Sequence, residues 1–177
     1  VMRKYRIILV TSVIMLSLSL PVGVFGFEDW VPGYDKKAGK FVFAATVNSA
    51  GHIFGQYCYF KDESCLYLIG IGINCEPGSE YPALINADTG SAFVRLVCFH
   101  KYESQHVLAV NSFDDIDRIV KKATRFGIAV PMQNDDFKVA RFSLRGATEA
   151  INTMLEAAEL KMKGKPQNRS KPAEERL

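Results

Sequence analysis

The sequence predicts an α+β fold that is mainly β: a single-domain antiparallel β-sandwich of about eight strands with two helices in the C-terminal half. Three observations lead there. Short apolar runs rich in β-branched and aromatic residues follow one another closely between Phe41 and Asn111. Clusters of turn-forming residues separate them. After Phe113 the apolar spacing changes from alternation to a helical period. With 48% apolar and 23% charged residues over 177 positions, the chain has the balance of a core-former.

Residues 27–40 carry glycine, proline and charge, and read as a leading segment that Trp30 and Tyr34 anchor to the body. The first strand is Phe41–Val47, turned by 49–52. The second, 53–60, places Tyr57 and Tyr59 on one face and Phe54, Cys58 and Phe60 on the other. In the third, 65–73, the odd positions Cys65, Tyr67, Ile69, Ile71 and Ile73 make one apolar face. Gly70 and Gly72 fall opposite, where a neighbouring group can approach closely. A turn at 74–79 leads to strands 81–86 and 91–100, joined by the hairpin loop Ala87-Asp88-Thr89-Gly90, and then to a strand at 106–111.

Phe113, Ile116, Ile119, Val120 and Ala123 then mark one face of a helix. Ser112 and Asp115 have the spacing of a capping box. Asp114, Asp115 and Asp117 open this helix, Lys121, Lys122 and Arg125 close it, and Gly127 stops it, an order that complements the helix dipole. Strands follow at 128–131 and 137–144. A last helix opens near Gly146, with Ala147, Ile151, Met154, Leu155 and Ala158 facing inward.

Both ends read differently from the body. Arg3, Lys4 and Arg6 precede an apolar run at 7–20 that Pro21 interrupts, and Val24-Phe25-Gly26 suits a cut before Phe27. That run is shorter than a spanning helix needs, so residues 1–26 are expected to be a signal peptide. These three cations account for the whole formal charge of +3, because no acid precedes Glu28. The remainder is neutral and lacks the cationic surplus of a nucleic-acid binder. Residues 27–160 are expected to form the disulfide-bonded, β-rich domain, and residues 161–177 a disordered basic tail.

All four cysteines, Cys58, Cys65, Cys75 and Cys98, lie in the expected mature chain. An even number in an exported protein reads as two disulfides, for which three pairings exist. We favour Cys58 with Cys65, which bracket a polar turn, and Cys75 with Cys98. A one-residue register slip would forbid the first pair. The wide spacing does not suit a zinc site. No metal, cofactor or catalytic residue is expected. The best thiol–imidazole pair for an enzyme is Cys98 with His100, which share a face if their strand is regular. Asp114, Asp115 and Asp117 are explained by their place at a helix start. No hydrolase, zincin or phosphate-loop motif occurs.

The signal segment, the early cysteine pair, the Asn74-Cys75-Glu76-Pro77-Gly78 turn and the closing block together resemble one family. That block reads Gly127-Ile128-Ala129-Val130-Pro131, a polar turn, then Phe142-Ser143-Leu144-Arg145-Gly146-Ala147 leading into Ala150-Ile151. It is similar to the invasion-associated locus B family of exported bacterial proteins, over residues 41–155. Cys98 departs from the pattern, standing alone where the family pairs cysteines. The resemblance implies an exported β-sandwich associated with host colonisation, with no catalytic motif to carry over.

These readings converge on an exported, non-enzymatic binding module of the bacterial envelope or host interface, periplasmic or secreted. Tyr57, Tyr59, Tyr81 and Tyr102 are its candidate contact residues. The alternatives are a subunit of an envelope assembly, or a thiol enzyme using Cys98 and His100.

Overall fold

The computed structural model describes residues 27–163 apart from 103, 104 and 134. The expected signal segment, and the expected tail beyond Lys163, lie outside the described residues. Nine strands and two helices follow in chain order: β1 (Val31–Tyr34), β2 (Phe41–Val47), β3 (Ile53–Tyr59), β4 (Ser64–Gly70), β5 (Glu80–Ala87), β6 (Gly90–Tyr102), β7 (Gln105–Val110), α1 (Phe113–Lys122), β8 (Arg125–Pro131), β9 (Phe137–Ser143) and α2 (Ala147–Lys163). The strands form one antiparallel sheet in the order β1-β2-β3-β4-β7-β6-β5-β8-β9. The mainly-β expectation with two late helices holds.

Alternation builds the core. Val42 and Ala44 of β2, Phe54 and Cys58 of β3, Tyr67 and Ile69 of β4, Leu84's neighbours Ala83 and Ile85 of β5, and Val94 and Leu96 of β6 all point to one interior. Phe126, Ile128 and Val130 of β8 and Ala140 and Phe142 of β9 meet them there. Inward side chains from both halves share one cluster, so the sheet must curl over on itself. Ala147, Ala150, Ile151, Met154 and Ala158 lay one stripe of α2 against this cluster.

The two ends of the sheet come together at a seam. Trp30, fully buried just before β1, donates its indole N–H to the Ser143 carbonyl on β9 at 2.9 Å. Asn48, after β2, donates its side-chain amide to the Arg141 carbonyl at 3.0 Å. These bonds occupy part of the outer edge of β9, which would otherwise offer unpaired backbone to another chain. Gly146 makes the close approach possible. Its φ is +77°, and a Cβ there would collide with the Phe27 carbonyl.

Four local expectations are corrected. Residues 31–34, read as part of a leading segment, form the edge strand β1, where the Phe43 ring covers Gly33. The first helix ends at Lys122, not at Gly127, and Arg125 begins β8. Asp88 drives that exit, since its carboxylate accepts both the Thr124 N–H and the Thr124 hydroxyl. The capping box does not form: Ser112 is the N-cap without a side-chain bond, and Asp115 pairs with Arg118 instead. Finally α2 continues through Lys163, so residues 161–163 are helical and not tail.

Gln56 is an exception inside the core. It is buried between its register partners Ala44 and Tyr67, and its Oε1 accepts no hydrogen bond among the described residues. A buried acceptor left unpaired costs desolvation energy. Gln56→Met keeps the volume and removes that acceptor, so it should stabilise the domain by about 1 kcal/mol. Denaturant titration reads this directly, and a lower midpoint would refute it.

Candidate functional site

The disulfides pair as favoured, Cys58 with Cys65 and Cys75 with Cys98, and no cysteine is free among the described residues. Cys58 and Cys65 are register partners on β3 and β4, so the slip that would forbid their bond is absent. The Cys98–His100 pair is not assembled. Cys98 is opposite inward Leu108 and His100 opposite outward Val107, because β6 bulges between them at Phe99. The bulge turns the two side chains to opposite faces, and Cys98 is already bonded to Cys75. Burial lowers the His100 pKa below the usual imidazole value.

The acid cluster is dispersed in the same way. Asp115 pairs with Arg118, while Asp117 accepts the Tyr67 hydroxyl at 2.9 Å and pairs with Lys121 at 2.6 Å. Among the described residues no group of three His, Cys, Asp or Glu side chains could hold a metal ion. The predicted tyrosines also fare differently from expectation. Tyr57 is buried in a second apolar cluster with Phe41, Leu68 and Val107, its ring stacked on Phe43. Tyr59 packs beside it, and Tyr81 packs half-buried against the main core. The Tyr102 side chain lies outside the described set.

The exposed apolar surface is elsewhere. Phe93 on β6, Leu84 on β5, Ala129 on β8 and Val139 on β9 are successive register partners, and together they form a row across four strands. Phe93 is 85% exposed, Leu84 37%, Val139 46%, and nearby Phe137 65%. Parity along each strand sets this up. Val94, Leu96 and Cys98 take the inward positions of β6, leaving Phe93 outward between Ser91 and Arg95. On β9, Ala140 and Phe142 face in, so Phe137, Val139 and Arg141 face out. An apolar residue at a solvent-facing parity is therefore the signal in the sequence that marks this surface, and Tyr57, Tyr59 and Tyr81 are not part of it.

Beside this row lies a groove of 990 Å³ over β5, β8 and β9. The next register row supplies its floor: Asn86, Gly127 and Arg141. Gly127 keeps the floor low because it projects no side chain. At the far wall Arg145 donates Nε and Nη2 to Asp29 at 3.1 and 3.0 Å, and also faces Glu28 at 3.5 Å. The Ser143 hydroxyl donates to the same Asp29 oxygen at 2.6 Å. Asp88 is likewise engaged by Thr124. Arg125 and Arg141 line the groove without an acid partner among the described residues.

The Ser143 hydroxyl, then Arg145, hold the Asp29 pKa below the usual carboxylate range. A carboxylate depressed in the folded state stabilises it above the unfolded pKa and loses that contribution as pH falls through the folded value. Asp29→Asn should thus flatten the acid-side fall in stability. Denaturation midpoints taken between neutral pH and about pH 3 will show it. An unchanged slope would uncouple this carboxylate from folding.

No family model matches the sequence, and no curated protein matches it. Among solved structures the chain is similar to the crystal structure of invasion associated protein B from Bartonella henselae, at a TM-score of 0.52 and 13% identity. The match covers 74% of this chain and 94% of that one. At that identity the likeness is one of fold.

Proposed function

We propose that this protein is an exported, non-enzymatic binding module that acts at the bacterial envelope or a host surface. The observation that carries the reading is the exposed row Phe93, Leu84, Ala129 and Val139 beside its groove. An in-register apolar row of this kind marks a contact surface better than scattered exposed residues do. Two disulfides fit an oxidising compartment, periplasmic or extracellular. Among the described residues no helix is long and apolar enough to cross a membrane. The fold shared with a protein named for invasion points the contact toward host cells.

Flow cytometry of fluorescently labelled, oxidised protein on cultured animal cells tests this. Phe93→Ser with Val139→Ser should weaken binding about tenfold while the melting temperature stays put. Tyr34→Ser, at an exposed aromatic of edge strand β1, should change nothing. Undiminished binding by the double variant would remove the row from the function.

A further inference from the structure

We propose that the groove over β5, β8 and β9 receives an extended acidic peptide segment of a partner protein, an inference that rests on the contact surface assigned above. The two carboxylates of the groove are spoken for, Asp29 by Arg145 and Ser143, and Asp88 by Thr124. Arg125 and Arg141, which have no acid partner among the described residues, are both guanidinium groups, and they project from paired neighbouring strands on the outward face. A guanidinium takes a carboxylate in a planar, two-pronged bond. Parallel to them runs the apolar row, one residue pair away: Arg141 follows Val139 on β9, and Gly127 precedes Ala129 on β8.

The occupant must therefore present acids on one side and apolar side chains on the other. An extended strand does this by alternation, with side chains projecting to opposite sides at successive positions. The groove is also partly open to solvent, whereas a small-molecule site encloses most of its ligand. Gly127 adds no side chain to the floor between Arg141 and Asn86, its register partners on either side. Charge complementarity selects the acid, and the apolar row supplies the burial.

A random-peptide display library selected against the oxidised full chain tests this. Wild type should enrich peptides that alternate Asp or Glu with aromatic or aliphatic residues. Arg125→Glu with Arg141→Glu should weaken the enriched peptides about tenfold or more and, when itself used as bait, should select Lys and Arg instead. Both substitutions are at exposed positions, so an unchanged melting curve confirms the fold. Peptides that lose affinity with Phe93→Ser and Val139→Ser but not with the Arg variants would overturn the acidic assignment and leave the contact surface standing. Peptides indifferent to all four substitutions would overturn both. Two other results also overturn the peptide assignment: Arg-dependent binding to phosphatidylglycerol vesicles with no peptide enriched, or a dimer in sedimentation that Phe93→Ser dissolves.

Discussion

Trp30→Ala should destabilise the domain by about 3–5 kcal/mol, the range for emptying a buried aromatic site. The indole is fully buried, meets Phe54 edge-on at 5.8 Å between ring centroids, and donates its N–H to the Ser143 carbonyl. Its loss leaves a cavity where β1 meets the core and an unpaired carbonyl on the edge of β9. Two separate terms therefore act together. Trp30→Phe separates them, because it keeps most of the apolar contact and removes only the donor. It should cost about 1–2 kcal/mol. Chemical denaturation of both variants measures the ratio. Hydrogen exchange should show β9 amides near Ser143 losing protection in Trp30→Ala before those of β3 and β4. Equal costs for the two variants, or uniform loss of protection, would mean that Trp30 fills space without closing the seam.

Much of the architecture was legible because alternation is a strong signal wherever one strand face is buried. Phe41–Val47 begins and ends where its apolar run does, and Cys65, Tyr67 and Ile69 turn inward as alternation requires. The strand expected to run on to Ile73 stops at Gly70, because Gly72 takes a positive φ of 73°; Ile71 and Ile73 are buried from the segment beyond it. What escaped was set by partners remote in sequence. β1 contains Pro32 and Gly33, which locally favour a loop, and only the Phe43 ring over Gly33 and pairing with β2 make a strand of it. The exit of α1 depends on Asp88, far back in a hairpin loop, and the bulge at Phe99 depends on register with β7. A one-residue irregularity of that sort is invisible in a parity argument, yet it moves His100 to the other face from Cys98. Charge pairing is equally non-local. The sequence shows Arg125, Arg141 and Arg145 alike, and only the fold shows that Asp29 takes Arg145 and leaves the other two facing the groove.

The second large effect concerns the staples, which should differ in weight. Removing Cys75–Cys98 by a double alanine variant should cost about 3 kcal/mol and lower the melting temperature by roughly 10 °C. Its partners are 23 positions apart in the chain, and the bond fixes the segment between β4 and β5 against β6. Two backbone bonds share that work: the Gly78 N–H donates to the Cys98 carbonyl and the Cys98 N–H to the Ser79 carbonyl, both at 2.8 Å. They are at a strand end and will fray once the covalent link is gone. Cys58–Cys65 closes only 7 positions, within a hairpin whose ladder is already in register along its whole length. Shorter loops restrict the unfolded chain less, and this pair gives the native state little order that β3 and β4 do not already supply. Its double alanine variant should therefore cost less than the other by about 1 kcal/mol. Thermal melts of both variants, with the oxidised protein and the protein held in reductant as references, rank the bonds. A hairpin variant that melts below the Cys75–Cys98 variant would reverse the ranking, and would place the weak point of the fold in the β3–β4 hairpin instead of in the segment leading to β5.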